Sequence, residues 1–439
     1  VIIVAEILFA ASPPIGHVGP LLTAARALVS RGDDVTFLTS ARHADKIRAI
    51  GAIPHPLPYG ADYDDSSLDA DLPGRTETSG VARINFDITH LFIRPMPHQA
   101  AALEELMDAH RFDAIVADAF FLGILPMLLD KRAARPPILA YSTTPLLLSS
   151  RDTAPGGPGL LPGKGAFGRI RNRVLNVLTH EITLRPSHQA ADTMLAALGS
   201  PKLPMFVLDS ALLADRVIAP TIPQFEYHRS DLPDHVRFVG AVLPPPADDF
   251  IAPRWWNELS IDRPVVHVTQ GTIDNADLTR LIEPTIEALA NEDVTLVVTT
   301  GGRPISQLRT PLPPNTFVSE YIPHDVLLPL VDVMVTNGGY GAVQRALTAG
   351  VPLVVAGNTE DKPEVAARVE YFGAGVNLRT GVPTAGEVRR AVCAVLNEGP
   401  YRQSARRLQT AYARRDGATA IAALVDETIA ERRTAAQHV

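Results

Sequence analysis

Short apolar runs alternate with helix-period segments in two successive series along this chain, and that alternation constrains the fold more than any other feature. In the first series, residues 1–10 (VIIVAEILFA) read as a buried strand and 11–17 as a Pro/Gly loop. Residues 18–31 place Leu21, Leu22, Ala25, Leu28 and Val29 on one helical face, and Gly32 ends that helix. A strand over 34–40 follows, then a helix closing at Gly51, then strands over 114–117 and 138–141. The second series has strands at 264–270, 294–300, 316–321, 331–336 and 351–356, with a helix over 278–290. From Thr384 onward the pattern is almost wholly helical. Parallel strands need crossover helices on the sheet faces. The expected class is therefore α/β, with two Rossmann-like, doubly wound domains facing an interdomain cleft. The Pro-rich stretch 243–253 (LPPPADDFIAP) is the natural linker. It separates an N-terminal domain (1–242) from a C-terminal domain (254–417), leaving a final helix over 418–439.

Composition narrows the function classes. The 439 residues are 46% apolar and 20% charged, as in an ordinary globular enzyme, with a net charge of −8. No Lys/Arg-rich run is long enough to cradle a nucleic-acid backbone, so nucleic acid is not an expected partner. Cys393, the single cysteine, cannot form an intrachain disulfide and reads as a small core residue, which suits a reducing, cytoplasmic setting. The apolar opening lacks a basic flank and is interrupted by Glu6, and no stretch approaches ~20 apolar residues, so no membrane span is expected. Residues 60–74, which are acidic, and 154–168, rich in Gly and Pro, read as surface loops.

The residues Asn337, Gly338, Gly339, Tyr340, Gly341 and Ala342 lie between the strand 331–336 and a helix running to Gly350. Glycines at a strand-to-helix turn let backbone N–H groups approach a ligand, and the helix N-terminus adds positive partial charge. Together they suit a diphosphate, the alternative being a tight turn without a ligand. Other phosphate motifs fail. No G-x-G-x-x-G follows the first strand, and in 158–165 Pro158 and Gly165 displace the first glycine and the Ser/Thr of a P-loop. Gly271 and Thr272 form a second glycine turn at the end of PVVHVTQ, whose His267 reads as a core histidine. His17 sits near a helix N-terminus, where the dipole disfavours protonation; it is either a general base or a capping residue. Asp118 ends the strand DAIVAD ahead of an expected helix over 119–129, and is either the partner of His17 or an N-cap.

These residues resemble those of the family 1 glycosyltransferases of the GT-B fold, specifically bacterial enzymes that glycosylate macrolides and related natural products. The resemblance covers nearly the whole chain. It rests on ASPPIGHVGPLLTAARAL, on VVHVTQGT, and on the run from VSEYIPHDVLLP through TNGGYGAVQRALTAGVPLVVAGNTEDKPEVAARV. It implies His17 as catalytic base with Asp118 as its carboxylate partner. Gly271, Thr272 and Asn337 through Ala342 would meet the donor phosphates, Tyr321, Ile322 and His324 the nucleobase, and Asp361 and Lys362 the sugar hydroxyls. The chain departs from the family pattern at several of these places. Asn337 replaces the usual histidine but keeps a donor. Tyr321 and His324 replace Trp and Gln, and Lys362 replaces Gln. Arg345 stands where many users of UDP-sugars place a glutamate against the ribose.

The activity so implied is metal-independent, inverting transfer of a hexose from a UDP- or dTDP-sugar to a hydroxyl of a lipophilic natural product such as a macrolide, ansamycin or polyphenol. No cofactor or metal is expected, and the protein would be a monomer or homodimer. Phe86, Leu91, Phe92, Phe120, Phe121 and residues 146–148 are the apolar candidates for the acceptor side. The stripe of Ile421, Leu424, Val425 and Ile429 would carry the final helix back over the N-terminal domain by analogy with the family. Two alternatives stand beside this reading: a GT-B nucleotide-sugar epimerase and a non-catalytic auxiliary partner of a transferase.

Overall fold

A computed structural model describes residues 4–65, 68–130, 135–246, 250–259, 262–272 and 274–437. Two parallel sheets organise them. The first joins β1 (Glu6–Ala10), β2 (Asp34–Thr39), β3 (Ile53–Pro56), β4 (Ala114–Asp118), β5 (Ile138–Tyr141), β6 (Arg216–Ala219) and β7 (Val236–Phe238) in the order β3-β2-β1-β4-β5-β6-β7. The second joins β8 (Val265–Thr269), β9 (Thr295–Thr299), β10 (Thr316–Ser319), β11 (Val333–Thr336), β12 (Leu353–Val355) and β13 (Gly375–Asn377) in the order β10-β9-β8-β11-β12-β13. Strands β4, β8 and β9 are buried along their whole length, which is why they read as continuous apolar runs rather than alternations. Each sheet is sandwiched between two apolar cores, one on each face.

The structure refines several sequence expectations. β1 begins at Glu6, and residues 1–3 lie outside the described residues, as do 247–249 of the linker. The first helix starts at Ile15 rather than 18 and ends at Gly32, whose φ of 105° is left-handed. The helix expected over 119–129 is a turn followed by short helical pieces, Leu122–Ile124 and Leu125–Leu129. The glycine-rich loop gives way to a helix at Gly165, three residues before its expected end at 168. Nor is the acidic segment a bare loop. Asp65 accepts from the Ile15 N–H at 3.2 Å, capping the first helix, and Arg42 pairs with both Asp64 and Asp65.

Several contacts join the two halves. Ile222 and Phe225, from the first half, lie in the core of the second sheet. The final helix Gly417–Gln437 returns to the first sheet, where Ile421, Leu424, Val425 and Ile429 share a core with Phe9 and Leu28, and Arg31 pairs with Asp426 at 2.7 Å. Between the halves lies a buried ion cluster. Arg368 is 0% exposed and binds Glu226 at 2.7 Å and Glu364 at 2.8 Å. Arg229 binds Glu226 at 3.0 Å, and both arginines donate to the Leu146 carbonyl.

Candidate active site

In each sheet the strand order reverses once next to the first strand of its series, between β1 and β4 and between β8 and β11. Ligands of open α/β sheets bind outside the carboxyl ends at such switch points. His17 follows β1 and Asp118 ends β4; Gly271 and Thr272 follow β8 and Asn337 follows β11. The topology therefore brings together, at each switch point, the residues the sequence singled out.

His17 occupies the first turn of its helix, with Nδ1 2.9 Å from Asp118 Oδ2. Asp118 is buried, and four groups converge on its carboxylate. Ser12 N–H and His17 meet Oδ2, while Phe120 N–H and the Thr143 hydroxyl meet Oδ1. Asp118 thus meets His17 and closes the turn after β4; it is not a helix N-cap, because the first helical piece after it is capped at Phe121. With the Nδ1 proton directed at Asp118, Nε2 keeps its lone pair. Burial alone would lower the imidazole pKa. The charge and hydrogen bond of Asp118 outweigh it, helped by Asp361 and Glu360, and the net shift is upward. This corrects the expectation that the helix dipole would disfavour protonation: the adjacent carboxylate wins over the partial charges of the first turn.

Thr143, at the end of β5, was not singled out by the sequence; its Oγ1 also lies 3.1 Å from His17 Nδ1. The loop before His17 is braced by Arg42 and His43, which both bond to the Pro13 carbonyl at 2.9 Å. The His17 ring stands 5.3 Å from Phe92 and 5.4 Å from Phe120. Beyond these rings opens an apolar pocket lined by Phe92, Phe120 and residues 146–148, with Ile88 and Val207. Of the other acceptor candidates, Leu91 and Phe121 are buried in the interior, and Phe86 stacks on His90 at 3.8 Å.

At the second switch point, Asn337 Nδ2 donates to the Gln270 carbonyl at 2.6 Å, tying the two glycine turns together. One of its two amide N–H donors is thereby engaged inside the protein, and the other N–H is the donor this position keeps. Tyr340 is buried in the second core, so it contributes packing there, while Gly341 stays exposed. Gly271 takes a φ of 71°, and Thr272 is exposed at the strand ends. Tyr321 is 62% exposed, whereas Ile322 is buried in the core. His324 packs edge-on to His267 at 5.6 Å. Burial lowers His324 to about 3 and His267 to about 4, so both rings are neutral, and His267 is a core residue held by the Val297 carbonyl. The Arg345 guanidinium is half-buried near Tyr321 and Asp325.

Asp361 and Lys362 open the helix Lys362–Tyr371. Burial pushes the Asp361 carboxyl up to about 6. Lys362 Nζ binds Thr359 at 3.0 Å, Glu360 at 2.5 Å and Asp274 at 3.3 Å. Lys362 therefore fastens the loop that carries Asp361 to the segment after β8, rather than standing free. Two glycines were missed because they act only through space. A Cβ on Gly357 would lie 1.9 Å from the Asn337 carbonyl oxygen, and one on Gly301 1.9 Å from that of Gly271.

Residues 283–427 match the C-terminal domain of erythromycin biosynthesis protein CIII-like proteins. The chain is 41% identical over 413 residues to 4'-demethylrebeccamycin synthase of Lentzea aerocolonigenes, covering 94% of this chain and 96% of that protein. It is 32% identical to UDP-glucosyltransferase A1 of Starmerella bombicola, covering 90% of this chain and 86% of the relative. Among solved structures, the glycosyltransferase of kitacinnamycin superposes with a TM-score of 0.73 at 22% identity, over 97% of this chain and 100% of that one, a likeness of fold. Together with the two facing parallel sheets, these relationships show that the chain belongs to the family 1 natural-product glycosyltransferases of the GT-B fold.

Proposed function

We propose that this glycosyltransferase moves a hexose from a UDP- or dTDP-sugar to a hydroxyl of a lipophilic acceptor, by one inverting displacement that needs no metal. The observation that carries the reading is the His17–Asp118 pair, set against Phe92 and Phe120 at the edge of an apolar pocket and influenced by Asp361 and Glu360 of the other domain. In this reading the N-terminal domain holds the acceptor and the C-terminal domain the donor. His17 Nε2 takes the acceptor hydroxyl proton as that oxygen attacks the anomeric carbon. The bond from that carbon to the phosphate oxygen breaks, and the nucleoside diphosphate leaves with the electron pair. Backbone N–H groups of Gly338 to Ala342, the start of the helix Tyr340–Thr348 and Thr272 stabilise the charge on the leaving group. Asp118 offsets the imidazolium that forms. Asp361 meets a sugar hydroxyl, and a carboxyl with a value of about 6 is mostly ionised at neutrality and accepts from it. The protein would act in the cytoplasm as a monomer or homodimer.

The test is incubation with UDP-glucose or dTDP-glucose, a polycyclic aromatic aglycone and a chelator, with the product read by mass and by the coupling of its anomeric proton. A β-linked glucoside formed with stoichiometric release of nucleotide supports the reading. An epimerised donor with no glycoside supports an epimerase instead, and failure to bind either nucleotide in calorimetry supports an auxiliary role.

A further inference from the structure

The helix Gly165–Leu178 is turned the wrong way round for a globular surface. Its buried face is polar: Asn172 and Asn176 point inward and donate to the carbonyls of Arg151, Ser150 and Thr153. Its apolar face points outward. Phe167 is 89% exposed, and Ile170, Val174, Val177 and Leu178 are exposed along the same stripe at helical spacing. Ile182, in the following turn Thr179–Thr183, extends the stripe at 67% exposure. Beside that turn lies the helix Gly80–Asp87, whose Asn85 donates to the Thr183 carbonyl and whose Val81 and Ile84 are exposed as well. A contiguous apolar surface of this kind marks an interaction site.

Charge selects the occupant. Residues 153–180 contain Lys164, Arg169, Arg171 and Arg173, within a chain of net charge −8. Arg169 pairs with Asp152 at 2.9 Å and exposed Glu181 follows the stretch, so Lys164, Arg171 and Arg173 carry the basic character of this face. On the helix, Arg171 and Arg173 flank the apolar stripe on opposite sides, and both are exposed. An apolar stripe between basic rims fits an anionic lipid surface, in which the helix lies in the headgroup plane. A second copy docked through the same face would set these arginines against their own equivalents, which disfavours self-association. No helix among the described residues is long and apolar enough to cross a membrane, so any contact is peripheral.

The geometry points to docking of this protein, through the helix Gly165–Leu178, on membranes rich in anionic lipid. The same helix covers the continuation of the pocket wall. Residues 146–148 line the apolar pocket, the next residue, Ser149, bonds at 2.9 Å to His180 in the turn after the helix, and the Ser150 carbonyl accepts from Asn176. Docking therefore presents the pocket side of the molecule to the bilayer, where apolar small molecules partition.

Flotation of the full chain with phosphatidylglycerol-rich vesicles tests this, with pure phosphatidylcholine vesicles as reference. The protein should float with the anionic vesicles, and less so as salt rises. K164Q and R173Q should each weaken binding about fivefold. F167E/I170E should abolish it while leaving the thermal midpoint unchanged, since these side chains are exposed. Three results overturn the proposal: no flotation of the wild type, equal flotation of F167E/I170E, or a wild-type dimer in light scattering that F167E/I170E converts to monomer. The last would assign the face to a second copy.

Discussion

Replacing Arg368 by methionine tests how the two halves of the molecule are held together. The guanidinium is fully buried; it contacts both oxygens of Glu226, one of Glu364 and the Leu146 carbonyl, with its cation 4.3 Å over the Tyr227 ring. Two charges ~4 Å apart interact by about 4 kcal/mol at an effective dielectric of ~20, so losing two carboxylate contacts removes ~8 kcal/mol of attraction. Methionine escapes the desolvation cost of a buried guanidinium, several kcal/mol. What remains is Glu226 with Arg229, and Glu364 with the N–H groups of Gly157 and Gly159. The net cost should be about 3–5 kcal/mol, as is usual when one partner of a buried pair is removed. With a urea slope near ~3 kcal/mol/M the midpoint falls by about 1–1.7 M. Trp255 and Trp256, the only tryptophans, pack against the second core, so fluorescence reports the C-terminal half and far-ultraviolet dichroism the whole molecule. In R368M the two transitions should separate. Burial would raise the Glu226 pKa, but Arg368 and Arg229 hold it below its ordinary value. A depressed carboxylate contributes stability above its unfolded pKa, and that contribution disappears as pH falls through the folded value. The wild-type advantage over R368M should therefore shrink below about pH 4. Coincident transitions at the wild-type midpoint would refute the assignment of the cluster as the tie between domains.

At the reaction centre, H17A should lower kcat by about 10²–10⁴-fold with nucleotide affinity unchanged by calorimetry; loss of nucleotide binding would contradict the base assignment. His17 must be neutral to accept a proton, and Asp118 raises its pKa, so the acidic limb of kcat/KM lies above the ordinary histidine value. D118N should move that limb to lower pH and reduce the plateau, and an unmoved limb would show that another group titrates. R345E introduces an acceptor for ribose hydroxyls, worth roughly tenfold for a charge-assisted hydrogen bond. It should shift nucleotide preference towards UDP over dTDP in paired titrations, and an unchanged ratio would place Arg345 away from the sugar of the nucleotide.

What the sequence showed and what it hid divide along one physical line. Parallel strands buried on both faces declare themselves as apolar runs, so both sheets and both switch-point loops were legible. Strands such as β3, an edge segment IPHP carrying two prolines, and β13, three residues long, leave no such run. Contacts between residues far apart in sequence leave no local pattern either: Thr143 on His17, Arg368 on Glu226, and Lys362 on Asp274. Gly357 makes the point testable. Nothing local demands glycine there, yet the loop after β12 passes so close to the loop after β11 that a Cβ would sit 1.9 Å from the Asn337 oxygen and 2.9 Å from Lys362 Cβ. One contact is with backbone, so no rotamer change relieves it, and the loop carrying residues 337–339 must move. G357A should therefore weaken nucleotide binding at least tenfold, through lost geometry rather than lost groups, because a displacement of ~1 Å in a positioned site costs about 10²-fold in rate. The H17A variant should bind nucleotide normally and fail in turnover; G357A should fail already in binding. If G357A bound UDP or dTDP like the wild type, the loop after β11 would not be the phosphate site, and the donor half of the proposed mechanism would have to be placed elsewhere.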